Sequence, residues 1–423
     1  MRPSSLQAFV LAAVFARAPT AYAWGAAGHE IVATIAQIHL PKPVLETVCD
    51  ILNFGDSATS YSSSSSRSHS QAYPPCHLAP IAAWADQIRS KPQYRYTAPM
   101  HYINALDDLP ADSCAFPGPQ GWSGRPNQNV LSALGNVSHV LRGFAAGDQS
   151  VSAANEALRF FVHWVGDMHQ PLHMSGREKG GNGARVAWNG RVTNLHSVWD
   201  GLLIAQSVRQ TPRNYSSPLG GTAGAFVEPH LRGAIYDPYI RRIMHEGLSE
   251  GGRFHEDSPA WLDCPEPAFT ASEQGSQEPL RPVVLGLTTP AGTEKKWDDA
   301  TLCPYAWAKP IHALNCDLPV WPHELDQGGH QDAFAAEVHE HGHEHEYSIE
   351  EELADFDHVL GIHVESTRPP RHPELVELDT PEYAGKIADG WVVERLLAMA
   401  GVRLAGLLTD IFHDVSGEMP SKA

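Results

Sequence analysis

The chain has 423 residues, 42% of them hydrophobic, and carries a formal net charge of −19 with 24 histidines. That length allows one to three domains with a large buried core. The acidic balance argues against capture of duplex DNA by a broad basic face. A nucleic-acid substrate is not excluded, because bound cations can invert the local field.

The first segment of the chain is typical of a secretory signal. It begins with Met1-Arg2-Pro3, continues through an apolar stretch and ends in Ala21-Tyr22-Ala23. A basic start, a short apolar run and an A-x-A exit together indicate cleavage, whereas the alternative is a buried N-terminal helix. We therefore expect a secreted protein that loses residues 1–23 and starts at Trp24. No later apolar run is long enough to span a membrane, so no membrane anchor is expected.

Cysteine usage fits the same compartment. Six cysteines and no C-x-x-C pair favour disulfides over a cysteine zinc site, and their spacing leaves the pairing open. Two N-x-S sequons predict a glycoprotein, although such short motifs often occur by chance. The sequons begin at Asn136 and Asn214, and the cysteines are Cys49, Cys76, Cys114, Cys264, Cys303 and Cys316.

Apolar spacing in the first half of the chain predicts helices separated by polar segments. The spacing after Trp24 predicts a helix that Pro41 ends. A serine-rich run over residues 57–71 predicts a loop. Two further helices are expected over residues 128–147 and 151–169.

The second half begins with a predicted β-hairpin at residues 184–193, centred on a type I′ turn at Asn189-Gly190. A helix follows over residues 195–208. Residues 252–300 predict a loop with one strand at 283–287, and residues 326–346 form an acidic, histidine-rich insertion. An amphipathic helix from Trp391 to Ile411 closes the chain.

The expected fold is therefore mainly α. We predict one helical catalytic domain over residues 24–423, with a small β-hairpin and long loop insertions. The insertions are expected near residues 57–75, 252–300 and 318–378.

Two histidine–aspartate pairs are the strongest chemical signal. His163 and Asp167 are four residues apart, as are His196 and Asp200. On a helix this spacing places both side chains on one face, within reach of one metal ion. Imidazole and carboxylate are ligands that suit Zn²⁺. Pro171 should end the first helix, which would let His173 turn toward a second ion.

Weaker signals surround these pairs. A single such pair is more often a surface or capping interaction, but two pairs within a short apolar stretch favour metal binding. Asp86 and Arg89 lie one helical turn apart, and His101 lies in an apolar run that indicates a strand or extended segment. A core histidine or an exposed salt bridge is the alternative for each. After cleavage, the Trp24 amine and carbonyl could chelate a metal together with His29, unless the new N-terminus is unremarkable.

Taken together, the motifs resemble the zinc-dependent single-strand-specific nuclease and 3′-nucleotidase family of moulds and plants, which is related in fold to bacterial zinc phospholipase C. The resemblance covers residues 24 to about 250, then about 303–317 and 382–412. The matching motifs, in family order, are W-G-A-A-G-H, W-A-D-Q-I-R, M-H-Y-I-N-A, H-W-V-G-D-M-H-Q-P-L-H, G-G-N and N-L-H-S-V-W-D.

The resemblance implies three Zn²⁺ ions per chain and assigns their ligands by position. Asp167 would bridge the first two ions, and His169 falls where the family has a residue that binds no metal. The first ion would be held by Asp86, His101, His163 and Asp167, the second by Trp24, His29 and Asp167, and the third by His173, His196 and Asp200.

The resemblance also implies the reaction, which is hydrolysis of single-stranded DNA, RNA and 3′-nucleotides by a monomer that leaves 5′-phosphates. Arg89 matches the family's phosphate-contacting arginine, and the catalytic set is Asp86, Arg89 and Asp167. It also implies a pairing of Cys114 with Cys316.

The resemblance places the substrate-binding residues at Tyr102, Asn104, Lys179 and Asn182. Tyr102 replaces the usual phenylalanine and still permits base stacking. Asn104 stands where mould enzymes often carry an aspartate. Lys179 stands where an apolar clamp is expected, and it would meet a second phosphate.

Two other functions compete with this hypothesis. A zinc-dependent phospholipase C would use the same ion cluster on a lipid phosphodiester. A non-catalytic secreted protein would bind zinc through the histidine tract at residues 326–346. The W-A-D-Q-I-R and N-L-H-S-V-W-D motifs favour the nuclease.

Overall fold

The structure, a computed structural model, describes residues 24–53, 73–106, 108, 114–265, 288–289, 297–317, 320–325 and 375–415. All of them fall within one structural unit. The predicted signal at residues 1–23, the strand at 283–287 and the histidine tract at 326–346 lie outside the described residues.

Helices dominate the described chain, which confirms the predicted mainly α fold. The α-helices are α1 (Ala26–His39), α2 (Lys42–Asn53), α3 (Ala79–Ala82), α4 (Trp84–Ile88), α5 (Val130–Ala145), α6 (Val151–Asp167), α7 (Leu195–Ser197), α8 (Leu203–Gln210), α9 (Gly221–Val227), α10 (Asp237–Arg242), α11 (Pro304–Asp317), α12 (Lys386–Asp389) and α13 (Val392–Phe412).

Shorter helical segments connect these elements. The 3-10 helices are Pro92–His101, Pro171–Met174, Arg177–Lys179, Arg213–Ser216, Glu228–His230, Ser258–Leu262 and His323–Leu325. The π-helices are Val198–Leu202, Ile243–Leu248 and Pro381–Gly385.

Local sequence explains where the two central helices begin. Asn129 caps α5 by accepting a hydrogen bond from the Ser132 amide, and the Ser132 hydroxyl accepts one from the Asn129 amide. Ser150 caps α6 in the same way, through the Ala153 amide. These caps satisfy amides that a helix otherwise leaves without partners. The two helices pack together, and α6 buries almost all of its last two turns.

The two ends of the described chain pack against each other. Helix α1 lies against α13, which buries Leu397, Leu404 and Leu408 in the core. The buried residues of α1 include Ile31 and Ile35. The core therefore surrounds α6 with helices from both ends of the chain, and α6 carries the candidate ligands.

The predicted hairpin is confirmed as strands β2 (Arg185–Trp188) and β3 (Arg191–Asn194). Asn189 and Gly190 have φ of 49° and 76°, as a type I′ turn requires. A second antiparallel pair joins β1 (Trp122–Ser123) to β4 (Thr288–Thr289). Its second strand directly follows the segment predicted as a strand.

Three disulfides use all six cysteines. Cys114 pairs with Cys316, as the resemblance implied, and this bond ties the segment after the first candidate ligands to α11. Cys49 pairs with Cys76, and Cys264 pairs with Cys303. The last bond holds one end of the predicted insertion near residues 252–300, where Trp261 and Trp297 are also buried.

The two predicted sequons lie among the described residues. Asn136 and Asn214, which begin the sequons, are both exposed. None of the helices in the described ranges is long and apolar enough to cross a lipid bilayer.

Candidate metal centre

Helix α6 places the first histidine–aspartate pair at its C-terminal end. His163 and Asp167 are fully buried, and His163 Nε2 lies 3.3 Å from Asp167 Oδ2. The Ala82 carbonyl lies 2.7 Å from His163 Nδ1 and accepts its hydrogen. Because Nδ1 donates there, the Nε2 lone pair of the neutral ring faces the carboxylate.

Asp86 and His101 come to the same place from earlier segments. Asp86 lies on α4, and its Oδ2 is 3.6 Å from His163 Nε2. His101 ends the 3-10 helix that starts at Pro92, and its Nδ1 lies 2.9 Å from Asp167 Oδ2. The expectation of a strand or extended segment there is wrong up to His101, because Pro92 fixes the backbone angle of a helical turn. The extended backbone begins at Tyr102.

His29 reaches Asp167 from the other side. Its Nε2 lies 3.1 Å from Asp167 Oδ1, and its ring stacks on His163 with centroids 3.8 Å apart. Gly166 makes this approach feasible, since a Cβ there would lie 2.7 Å from His29 Nδ1. Asp167 therefore directs one carboxylate oxygen to His29 and the other to His101 and His163.

The second pair forms a separate group with His173. His196 Nε2 lies 3.2 Å from Asp200 Oδ2 and 3.2 Å from His173 Nε2. His196 Nδ1 donates to the Gly180 carbonyl and His173 Nδ1 to the His101 carbonyl, each over 2.6 Å. Two Nε2 lone pairs therefore face each other in the neutral rings. The predicted helix over 195–208 is interrupted here by the π-helix Val198–Leu202, a distortion often found at functional sites.

Trp24 lies beside this second pair. It is fully buried, and the next amide, that of Gly25, donates to the Asp200 carbonyl over 2.7 Å. A Cβ on Gly28 would lie 2.8 Å from the Trp24 Cβ. Glycine at this position therefore allows α1 to pack directly against Trp24. The segment that leads into His29 is thus anchored to the Asp200 turn.

Burial and charge oppose each other throughout the cluster. Burial raises the pKa of Asp86 to about 6 and lowers the pKa of His101 and of His173 to about 4. Burial also opposes protonation of His163, but the Asp167 and Asp86 carboxylates raise its pKa to about 9. A proton on His163 thus takes the place that a cation would fill between those carboxylates.

The donor atoms fit divalent cations. Three groups each bring their ligand atoms within 4.8 Å of one another: His29, His163 and Asp167; Asp86, His101 and His163; and His173, His196 and Asp200. The carboxylate oxygens of Asp86 and Asp167 are buried without a hydrogen bond. Buried carboxylates that face imidazole lone pairs are costly unless a cation lies between them. Imidazole and carboxylate together suit Zn²⁺.

The predicted substrate residues border this cluster. Tyr102 directly follows His101 and is 40% exposed, and the Ile103 amide donates to the His173 carbonyl over 2.9 Å. Asn104 is partly buried. Lys179 is exposed on the turn whose Gly180 carbonyl holds His196, and the Asn182 side chain donates to the Lys179 carbonyl over 2.9 Å.

The cluster also depends on residues that the sequence did not single out. Gln170 Nε2 donates to Asp200 Oδ1 over 2.7 Å, while the Leu172 amide donates to Gln170 Oε1. Gln170 thereby fixes the carboxylate beside the last ligand group, as outer partners of metal ligands usually do. The position of Gln170 between His163 and His173 could have suggested this role from the sequence. The backbone carbonyls that accept from the imidazoles could not be recognised in that way, because every residue has one.

Arg89 and Asp86 form the rim of the cluster. Arg89 Nη1 lies 3.8 Å from Asp86 Oδ1, and the arginine side chain is 17% exposed. Asp86 is therefore fully buried among the candidate ligands, while the Arg89 side chain is partly accessible to solvent. The arrangement suits a cation that meets an anionic ligand above the cluster.

The part of the chain that contains this cluster is similar in sequence to known nucleases. Residues 24–230 match the S1/P1 Nuclease family. The chain is 35% identical over 196 residues to Nuclease S1 of Aspergillus oryzae, which is 45% of this chain and 58% of that protein. It is 36% identical over 180 residues to Nuclease P1 of Penicillium citrinum, which is 42% of this chain and 57% of that protein.

A plant relative extends the match. Endonuclease 3 of Arabidopsis thaliana is 32% identical over 250 residues, covering 58% of this chain and 68% of its own length. The chain spans only about three-fifths of the two mould proteins it matches. The matched region nevertheless contains every side chain of the three ligand groups, and the chain belongs to the S1/P1 nuclease family.

Proposed function

We propose that the protein is a secreted phosphodiesterase that uses three zinc ions to cleave single-stranded DNA and RNA. The products are 5′-phosphorylated nucleotides and oligonucleotides, and 3′-nucleotides are dephosphorylated by the same centre. The family membership supports a nuclease, and the signal-like start and the three disulfides support secretion.

One observation carries this proposal. Three groups of buried imidazoles and carboxylates adjoin, and Asp167 directs its two oxygens to different histidines. A single metal site needs only one such group, whereas a bridging carboxylate is typical of paired ions. The neighbouring group around His173 supplies a third position.

The ligands divide between the ions as follows. Asp167 would bridge the first two ions, and the amine and carbonyl of a processed Trp24 would complete the second. The first ion would be held by Asp86, His101, His163 and Asp167, the second by Trp24, His29 and Asp167, and the third by His173, His196 and Asp200.

The zinc ions, when bound, polarise the phosphodiester and stabilise the charge that builds on its oxygens. Arg89 donates hydrogen bonds to a phosphoryl oxygen from the rim, while the Asp86 carboxylate orients its guanidinium. Gln170 and the carbonyls of Ala82 and Gly180 keep their ligands in a fixed orientation, which lowers the reorganisation needed during the reaction.

The surroundings favour single strands over duplexes. The ligand side chains are buried, so a phosphate must leave the regular surface of a duplex to reach them. Tyr102 offers an exposed ring on which an unpaired base stacks, and such stacking tolerates any base. Lys179 adds an exposed positive charge beside the turn that holds His196, where it would meet the next phosphate.

The test compares substrates on one preparation of the zinc-loaded protein. We expect cleavage of denatured DNA and of RNA, little cleavage of the same DNA as a duplex, and release of products with 5′-phosphates. Chelation should abolish the activity, and added zinc should restore it. Hydrolysis of phosphatidylcholine without cleavage of denatured DNA would instead identify a phospholipase C.

A further inference from the structure

One buried cation lies outside the ligand groups. Arg403 on α13 is 5% exposed, and no carboxylate among the described residues contributes to the shift of its pKa. Its Nε donates to the Trp261 carbonyl over 2.8 Å, and its guanidinium lies 4.5 Å from the ring centroid of Trp307. Burial lowers the pKa of Arg403 to about 9, so the group keeps its charge at neutral and acidic pH.

A further contact of this guanidinium is His169. Arg403 Nη1 lies 2.9 Å from His169 Nε2, and His169 is fully buried. A guanidinium only donates hydrogen bonds, so His169 Nε2 must accept and carry no proton. The proton of the neutral ring therefore sits on Nδ1, which donates to the Val165 carbonyl over 2.7 Å.

That carbonyl belongs to the end of α6. The last carbonyls of a helix lack intrahelical partners and need others. Three of these carbonyls accept hydrogen bonds from backbone amides: Trp164 from Met168, Gly166 from His169, and Asp167 from Gln170. The Val165 carbonyl is the one left over, and the His169 side chain supplies its donor.

We infer that Arg403 and His169 act together as a cap on the C-terminal end of α6 and so position Asp167 and the turn that leads to His173. The helix end carries a partial negative charge, which the buried guanidinium complements through the histidine ring. Arg403 and His169 are positioning residues and bind no metal. The inference rests on the proposed function for its consequence, retention of zinc, but its structural part stands on the hydrogen bonds alone.

The variants test separately the hydrogen bond from His169 to Val165 and the positive charge of Arg403. His169→Ala removes the donor to Val165, whereas His169→Asn places an amide nitrogen near the Nδ1 position and keeps it. Arg403→Met keeps the volume and removes the charge. Glu394→Gln is the matched control, because Glu394 is buried on the same helix and interacts with Tyr239 instead.

Two readouts apply to each variant. Amide hydrogen exchange at Met168, His169 and Gln170 reports the helix end directly, without zinc or substrate. We expect faster exchange there in His169→Ala and Arg403→Met and near-normal exchange in His169→Asn. Release of zinc into excess chelator should accelerate about 10- to 100-fold in the first two variants, as for other outer partners of ligands.

The outcomes distinguish the cap from the proposed function. Unchanged exchange and zinc release in His169→Ala would overturn the cap, and so would equal effects of His169→Ala and His169→Asn. If Arg403→Met does not fold, the two His169 variants still decide. A wild-type protein without zinc or nuclease activity would count against the proposed function alone, because the exchange measurement does not depend on either.

Discussion

Among single residues, Asp167 has the most demanding position. Both of its oxygens are buried without hydrogen bonds, and they face His29 on one side and His101 and His163 on the other. Asp86 also contacts His101 and His163, but at 3.6 Å and without reaching His29. In the proposed centre, the charge of Asp167 would therefore be needed twice, once for each neighbouring cation.

Asp167→Asn should be the most damaging substitution in the cluster. The amide removes the negative charge and one acceptor oxygen, so both adjoining ions lose a ligand. We expect activity on denatured DNA to fall by more than the factor of about 100 that an outer partner can cost. In the proposed division of ligands, the matched variant Asp200→Asn removes a ligand from the third ion alone. Zinc analysis should show the larger loss in Asp167→Asn, and equal zinc contents in the two variants would contradict the bridging role.

Residues added ahead of Trp24 should also strongly reduce the proposed nuclease activity. A preceding peptide bond converts the α-amine into an amide, which is a poor metal ligand at neutral pH. The measurement compares the processed protein with a form that keeps a short, uncleaved extension. A fully active extended form with normal zinc content would exclude Trp24 as a ligand.

These candidate ligands could be predicted from the sequence because side chains that share one metal on a helix recur at a fixed spacing. The spacing of His163 and Asp167, and of His196 and Asp200, is set by one helical turn and is visible without a structure. Gly166 left no such pattern, because its importance comes from His29, a residue distant in the sequence. The acceptors for the imidazole Nδ1 atoms are backbone carbonyls, which every residue has.

At the scale of secondary structure, α6 is the central element of the site. It bears His163 and Asp167, packs on α5 and α13, and receives His29 against Gly166. Its last turn therefore carries two proposed ligands and also forms the surface that His29 packs against. Position 166 must therefore carry glycine, because any side chain there would clash with His29.

Gly166→Ala should displace His29. The added Cβ would lie 2.7 Å from His29 Nδ1, closer than real Cβ contacts allow. Gly135→Ala is the matched control, since α5 leaves open space around that position and alanine favours the helix by roughly 1 kcal/mol. We expect thermal unfolding to show loss of stability in Gly166→Ala and a small gain in Gly135→Ala, with zinc lost only from the former. A Gly166→Ala protein with normal zinc content would show that His29 binds no metal.

Element boundaries followed the sequence where periodicity and caps agreed. Asn129 and Ser150 begin α5 and α6, and the hairpin turns at Asn189-Gly190. The 3-10 helix before His101 was missed, because its apolar residues have no helical period. The π-helix at Val198–Leu202 was missed for another reason: an extra residue in a helical turn leaves the composition unchanged.

For the whole molecule, the acidic charge of −19 contrasts with the proposed anionic substrate. The ions would reverse the field only near the cluster, where Arg89 and Lys179 add to them. Binding should then rely on the site itself and on stacking, with little help from the rest of the surface.

The histidine tract provides a test at this scale. We expect that replacing residues 326–346 with a glycine–serine linker of equal length leaves cleavage of denatured DNA unchanged, because no proposed ligand lies there. The assay is run at saturating zinc and again at limiting zinc. Loss of activity at saturating zinc would support a protein that works through the tract.

The architecture was predictable only in part. The helical spacing of apolar residues correctly predicted a mainly α domain. The resemblance correctly implied the disulfide between Cys114 and Cys316. The packing of α1 on α13 was not predictable, because contacts between the two ends of a chain leave no local pattern. The other two disulfides were open for the same reason: spacing alone does not select a pairing.

The zinc content of the purified, processed protein tests the central claim most directly. The three ligand groups predict three zinc ions per chain by elemental analysis, with removal by chelator and recovery on addition of zinc. A protein that contains no transition metal, yet is folded and active on denatured DNA, would contradict the proposed chemistry.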